Sequence, residues 1–170
     1  MTVLVAVPCE DGVWIGCDTL ISGGSSLSAE TKWLKVGDWW VGVAGAVRAL
    51  NLISCMTVEP GADLSVSDVV EAIRQVFTQF GWSGQTEGAG PEERMFEALL
   101  VRGGEAWFVG PWLSWSKARG QCLAAGSGEH YALGAMWASE GTPEETARLG
   151  LGAAMRFDSG CGGEMWLRRV

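Results

Sequence analysis

The sequence has one histidine and a net charge of −8 over 170 residues, and both features restrict its chemistry. A single histidine, His130, argues against a multi-histidine metal site and against catalysis by a histidine cluster. With 12 basic and 20 acidic residues, the chain is not expected to bind nucleic acid or anionic membranes. It also contains no GxxxxGK[ST] segment, so we expect no P-loop and no ATP cycle of its own.

Long apolar runs and cysteine patterns are also missing. No run reaches the roughly 18 apolar residues that a membrane-spanning helix needs. Residues 1–7 lack the basic start and long apolar region of a signal peptide, so we interpret them as the first strand. The five cysteines include no close pair, which predicts neither a disulfide framework nor a zinc site. We therefore expect reduced thiols, a cytoplasmic protein, and neither a metal nor a cofactor.

The composition is that of a folded chain, with 48% hydrophobic and 19% charged residues. Its length fits a single domain over residues 1–170. Periodicity predicts strands at 2–7, 13–17, 31–36, 39–44, 95–102, 106–109, 112–116, 121–125 and 164–169. It predicts helices directly after residue 45 and at 66–80, 129–139 and 143–156. Runs of strands followed by runs of helices indicate an α+β fold with helices covering stacked sheets.

Four residues in the first half carry a chemical hypothesis. Thr2 begins the first strand, Asp18 ends the second, Lys32 opens the third, and a small-residue stretch ending in Gly45 precedes a helix. Taken alone, each has an ordinary structural explanation as a strand residue, a turn acid, a solvated charge or a turn glycine. Lys35 is an alternative to Lys32, but it leaves too few residues before the glycine turn.

Two later segments extend the pattern. Ser127 lies in an Ala-Gly-Ser-Gly turn before a predicted helix, and Asp158 begins the segment Asp-Ser-Gly-Cys-Gly that contains Cys161. These elements, in this order and over nearly the whole chain, resemble the proteasome β-subunit family and its bacterial ring-protease relative, HslV. The family has an Asp-x-x-Ser-Gly element at the second segment, so Cys161 stands where the family has serine.

The resemblance implies a four-layer αββα sandwich of the N-terminal-nucleophile (Ntn) hydrolase type and a threonine endopeptidase. Removal of Met1 would free the amine of Thr2, which could then act as the base for its own hydroxyl. Lys32 would favour the deprotonated forms of both groups, and Asp18 would hold that lysine charged and oriented. The Gly45 N–H would donate to the developing oxyanion.

The resemblance also implies supporting residues and partners. Ser127 and Asp158 would form hydrogen bonds around the Thr2 amine. Apolar side chains would line the pocket for the substrate residue before the cleaved bond. These are Ile21, Val43 and Val47. The substrates would be unfolded or delivered polypeptides, cleaved inside a self-compartmentalised homo-oligomeric ring. An AAA+ unfoldase ATPase is a natural partner, although the sequence shows no docking site for one.

Two alternative functions remain open on this fold. A small-molecule amidase could use the same terminal nucleophile, and a monomer or dimer with an open site would favour it. A catalytically inactive structural or assembly subunit is the other alternative. The serine-to-cysteine difference at Cys161 lends weight to it, and a retained Met1 would favour it strongly.

The ten tryptophans have two explanations, core packing or subunit contacts. The groups concerned are Trp39–Trp40 and Trp107, Trp112 and Trp115.

Overall fold

In the computed structural model, the described residues (2–21, 27–28, 31–59, 62–82 and 96–170) form eleven strands and four α-helices. The strands are β1 (Leu4–Cys9), β2 (Gly12–Asp18), β3 (Leu20–Ile21), β4 (Leu27–Ser28), β5 (Trp33–Val36), β6 (Trp39–Gly45), β7 (Phe96–Arg102), β8 (Glu105–Val109), β9 (Trp115–Lys117), β10 (Leu123–Ala125) and β11 (Met165–Arg169). The helices are α1 (Val47–Ile53), α2 (Val66–Gln79), α3 (Glu129–Trp137) and α4 (Pro143–Phe157).

The order of elements follows the sequence pattern, with two differences. The strand expected at 112–116 begins only at Trp115, because the preceding residues turn. Leu113 donates its N–H to the Gly110 carbonyl at 2.9 Å and adopts a φ of 59°. The pair β3–β4 was not expected, since strands of two residues are too short to show a period of two.

The first sheet has four antiparallel strands in the order β10-β1-β2-β11. Its central strand β1 is apolar at consecutive positions, and Leu4, Val5 and Ala6 are all fully buried. A strand of this kind is covered on both faces, whereas a half-exposed strand alternates between apolar and polar residues. The sheet therefore lies inside the molecule.

The second sheet has five antiparallel strands in the order β5-β6-β7-β8-β9. The β5–β6 hairpin pairs Trp33 with Gly42 and Val36 with Trp39. Its turn contains Gly37 at a φ of 57°, a left-handed conformation that glycine adopts without the steric cost of a Cβ atom.

Three apolar clusters define the layers. The first joins the outer face of the second sheet to α1 and α2, through residues such as Val41, Ile53 and Phe77. The second lies between the two sheets, and the third joins the first sheet to α3 and α4. The layers are thus helix, sheet, sheet, helix. This confirms the predicted α+β fold with an αββα sandwich.

Local signals in the sequence explain where the longer helices begin. The hydroxyl of Ser65 accepts a hydrogen bond from the Asp68 N–H, while Asp68 accepts from the Ser65 N–H, which forms a capping box. Thr142 and Glu145 form the same arrangement at α4, with Pro143 in the first turn. None of the described helices is long and apolar enough to cross a membrane.

The tryptophans include both buried and exposed side chains. Trp39 and Trp107 are buried and pack with their rings 5.1 Å apart, as core residues do. Trp112 and Trp115 are 57% and 44% exposed, and Trp137 is 92% exposed. Core packing therefore accounts for the first pair, and a role in subunit contacts stays a prediction for the exposed ones.

Candidate active site

Several chain segments meet at one edge of the sandwich. Residues 2–3 lead into β1, β2 ends at Asp18, and Lys32 immediately precedes β5. The turn between β10 and α3 carries Ser127, and the segment after α4 begins at Asp158. Distant parts of the sequence are therefore brought together by the strand ends of two stacked sheets.

The ammonium group of Lys32 connects Thr2 to Asp18. Lys32 Nζ donates to Thr2 Oγ1 at 2.9 Å and to Asp18 Oδ1 at 2.7 Å. All three residues are buried, with exposures of 4% for Thr2, 0% for Asp18 and 3% for Lys32. A buried ion pair is tolerated when further hydrogen bonds satisfy its charges. The threonine hydroxyl thus lies directly against a fixed positive charge.

Two backbone N–H groups also donate to the Asp18 carboxylate. Its Oδ1 also accepts the Val3 N–H at 2.9 Å, and its Oδ2 accepts the Gly162 N–H at 3.1 Å. These bonds connect β2 to the start of β1 and to the segment before β11. Asp18 therefore fixes both the lysine and the backbone on either side of it.

The turn that carries Ser127 packs against the Thr2 backbone. Ser127 Oγ accepts from the Thr2 nitrogen at 3.2 Å, and Gly128 N–H donates to the Thr2 carbonyl at 3.2 Å. Gly126, at a φ of 93°, approaches so closely that a Cβ there would lie 2.3 Å from the Thr2 oxygen. Only glycine fits this contact without a shift in the backbone.

Asp158 and Cys161 extend this network. A hydrogen bond with Ser127 is the main cause that lowers the pKa of Asp158, while partial burial opposes it. Asp158 Oδ1 accepts the Gly160 N–H at 2.8 Å, and its Oδ2 accepts the Cys161 thiol at 3.4 Å. Cys161 Sγ is 4.0 Å from Ser127 Oγ. The three side chains form one connected group behind the Thr2 nitrogen.

Comparison with solved structures identifies the architecture that holds this site. The chain is similar to BPH from Thiobacillus denitrificans, a bacterial proteasome homologue whose structure was solved in complex with epoxomicin. The TM-score is 0.75 and the sequence identity 23%, over 99% of this chain and 98% of that chain. The fold is proteasome-like. Eukaryotic HslV from Trypanosoma brucei is similar at a TM-score of 0.66 and 15% identity, with 98% of each chain covered. No family model and no curated protein matches the chain.

In this proteasome-like fold, the remaining predicted residues lie around the β6–α1 turn and the end of β3. Gly45 ends β6 with a φ of 102°. Val43 is 4% exposed and packs in the cluster under α1 and α2, whereas Val47 opens α1 and is 41% exposed. Ile21 is half-buried at the end of β3. Their roles as oxyanion donor and pocket lining stay predictions.

Two contacts around the site were not expected from the sequence. Cys17 accepts the Lys32 backbone N–H at 3.4 Å, so the second strand holds the lysine backbone as well as its ammonium. Glu97 Oε2 accepts the Gly126 N–H at 2.9 Å. The one available signal for Glu97 is that a charge interrupts the apolar residues of β7. Among the described residues, no cluster of three or more His, Cys, Asp or Glu side chains could hold a metal.

We expect the thiol of Cys161 to resist alkylation. Burial is the main cause that raises its pKa to about 12, and the charge of Asp18 adds to it. Since the thiolate is the nucleophile, very little of the reactive form exists at pH 8. Treatment of the native protein with iodoacetamide, followed by peptide mass spectrometry, should label the exposed Cys55 and leave Cys161 unlabelled. Equal labelling of the two thiols would contradict the prediction.

Proposed function

We propose that this chain is a threonine-type endopeptidase whose nucleophile is Thr2 after removal of Met1. Met1 lies outside the described residues. The observation that carries the proposal is the 2.9 Å contact between Lys32 Nζ and Thr2 Oγ1. The same ammonium group forms an ion pair with Asp18. A buried cation against a threonine hydroxyl favours the alkoxide that forms as the hydroxyl loses its proton. The similarity to BPH and HslV supports a peptidase on this fold.

The proposed reaction begins with the Thr2 amine acting as the base. An α-amino group has a pKa of about 7.7–8.0, so a usable fraction is neutral near pH 7. The amine takes the Oγ1 proton as the oxygen attacks the scissile carbonyl carbon, and the proton passes to the leaving nitrogen. An ester on Thr2 forms as the peptide bond breaks. Water, deprotonated by the same amine, then hydrolyses this ester and restores the threonine.

The surrounding groups support that sequence in separate ways. Ser127, hydrogen-bonded to the Thr2 nitrogen, would orient the amine, and Asp158 would hold Ser127. The Gly45 N–H would donate to the oxyanion of the tetrahedral intermediate. Ile21, Val43 and Val47 would form an apolar pocket for the residue before the cleaved bond. Peptides with basic residues at that position should therefore be cleaved slowly.

The proposal extends to assembly. On the basis of the proteasome-like fold, we propose a homo-oligomeric ring that encloses the sites and degrades unfolded or delivered polypeptides in the cytoplasm. The exposed tryptophans Trp112, Trp115 and Trp137 are candidates for subunit contacts, because tryptophan is favoured at buried interface centres. An AAA+ unfoldase would deliver folded substrates.

The decisive measurement is the intact mass of the protein purified from cells, before and after incubation with epoxomicin. Epoxomicin is the compound bound in the BPH complex, and under the proposal it should form a covalent adduct with Thr2. The expected result is loss of Met1 and a gain of one epoxomicin per chain. Thr2→Ala should give no adduct. Thr78→Ala, which changes an exposed threonine on α2, should react like the wild type.

Each other outcome has a definite meaning. A retained Met1 and no adduct would show that the terminal amine never forms, and would point to an inactive structural subunit. An adduct on a protein that stays monomeric and cleaves small amides faster than peptides would point to an amidase. An adduct that survives Thr2→Ala would place the nucleophile elsewhere and reject the proposal.

A further inference from the structure

Glu97 is a charged residue in an otherwise apolar part of β7. Alternate residues of this strand, Phe96, Ala98 and Leu100, pack in the cluster beneath α1 and α2. Leu99 lies in the cluster between the two sheets, as does Val101. Because strand side chains alternate between faces, Glu97 shares the inter-sheet face with these residues. It occupies the end of the strand nearest the candidate site, paired with Ala44 of β6.

The carboxylate of Glu97 connects the two sheets. Its Oε2 accepts the Gly126 N–H at 2.9 Å, and Gly126 directly follows β10 of the first sheet. Hydrogen bonds from a backbone N–H to a carboxylate are stronger than those between neutral groups. This bond therefore ties the β10–α3 turn to a strand of the second sheet.

The same turn forms the support behind Thr2. Gly126 lies against the Thr2 carbonyl, Ser127 Oγ accepts from the Thr2 nitrogen, and Gly128 donates to the Thr2 carbonyl. All three contacts come from consecutive residues, so a displacement of the turn would move them together. The first N–H of the turn, that of Gly126, donates to the side chain of Glu97, which lies outside the turn.

We propose that Glu97 is a positioning residue, which holds the Gly126–Gly128 turn so that Ser127 orients the Thr2 nitrogen. This role rests on the proposed function for its catalytic consequence, whereas the structural link does not depend on it. Misplacement of a reacting group by about 1 Å costs on the order of 10²-fold in rate. The loss should appear in kcat, because the turn that Glu97 holds orients the nucleophile, and Glu97 is not one of the residues proposed to line the substrate pocket.

Glu129, at the start of α3, provides a matched control. Burial is the main cause that raises the pKa of its carboxyl, the charge of Glu97 adds to the rise, and His130 opposes it. Its backbone N–H donates to the Gly126 carbonyl, a bond that a side-chain change leaves intact. Glu129→Gln therefore removes a carboxyl that interacts electrostatically with Glu97, and it leaves the bond from the Gly126 N–H to Glu97 in place.

The kinetic test compares three variants in peptide cleavage. We expect Glu97→Ala to lower kcat by about 10- to 100-fold with KM changed less than about twofold, as loss of orientation predicts. Glu97→Gln, whose amide oxygen can still accept the N–H, should recover to within about threefold of the wild type. Glu129→Gln should match the wild type. An unchanged kcat in Glu97→Ala, or a Gln variant as slow as the Ala variant, would overturn the proposal.

A second measurement remains informative if the protein cleaves nothing. Hydrogen–deuterium exchange with mass spectrometry, on a peptide that covers residues 122–130, includes the Gly126 and Gly128 amides. Exchange at these two amides should be about tenfold faster in Glu97→Ala and near wild type in Glu97→Gln, because opening of the turn exposes both N–H groups. Faster exchange without any wild-type activity would reject the proposed function and keep the positioning role. Unchanged exchange in Glu97→Ala would reject the positioning role whatever the activity.

Discussion

Substitution of Lys32 by methionine is expected to lower kcat/KM by about 10³-fold, since in the proposed mechanism its charge stabilises the alkoxide that develops on Thr2 Oγ1. Lys32 Nζ is the charged group bonded to Thr2 Oγ1. Methionine keeps the length and apolar stem of the side chain but removes the charge. Rates of peptide cleavage, measured with excess enzyme for the slow variant, provide the test.

The matched control is Lys35→Met, three residues along the same chain segment. Lys35 is exposed, and its ammonium lies 5.2 Å from the Trp40 ring centre and 3.3 Å from the Asp38 carbonyl. Neither of these contacts involves Thr2, so the loss of the Lys35 charge should leave kcat/KM within about twofold of the wild-type value. If the two variants were equally slow, the assignment of Lys32 would be wrong.

Lys32→Met should also destabilise the fold, because it leaves Asp18 buried without its cation. Breaking a buried ion pair by removing one partner costs about 3–5 kcal/mol in the free energy of unfolding. Adding Asp18→Asn removes the unpaired charge and should restore much of that stability, as coupled residues do in a double-mutant cycle. Activity should stay low in the double variant. This combination separates loss of the cation from general loss of structure.

The sequence predicted most of the elements, because these had local signals. The apolar run of β1, the turn at Gly37 and the capping box at Ser65 depend on residues close together in the chain. The short β3–β4 pair had no such signal. The turn near Leu113 was missed because positive φ in a leucine follows from its surroundings and not from its identity.

The site was predictable in its order along the chain and not in its contacts. The choice of Lys32 over Lys35 came from the number of residues before Gly45, and the structure places the Lys32 ammonium at Thr2. Glu97 and Cys17 were missed, because their partners lie 29 and 15 residues away and no motif marks them. Such contacts depend on how two sheets stack, which a single sequence does not encode locally.

Substitution of Gly126 by alanine should be strongly destabilising, with a second, catalytic effect. At a φ of 93° the added Cβ would lie 2.3 Å from the Thr2 carbonyl oxygen and 3.3 Å from the Ala44 Cβ. Left-handed backbone costs an L-residue about 1–2 kcal/mol, and overpacking costs about 1–3 kcal/mol more. The melting temperature should therefore fall by roughly 5–15 °C for a domain of this size.

The structure offers a control in which the same glycine-to-alanine substitution should raise stability instead of lowering it. Gly134 lies within α3, and a Cβ there would meet no atom within 4 Å. Glycine inside a helix is less stable than alanine by about 0.5–1 kcal/mol, so Gly134→Ala should raise the melting temperature by about 2 °C. Thermal unfolding followed by circular dichroism, at equal protein concentration, measures both variants.

The catalytic part of the prediction follows from what the Gly126 contact holds. A backbone that moves to admit the Cβ carries Ser127 away from the Thr2 nitrogen, since the two residues are adjacent in one turn. At a temperature where Gly126→Ala is still folded, its kcat should fall by about 10²-fold, while Gly134→Ala keeps the wild-type value. A folded Gly126→Ala protein with full kcat would mean that Ser127 need not contact the Thr2 nitrogen for catalysis.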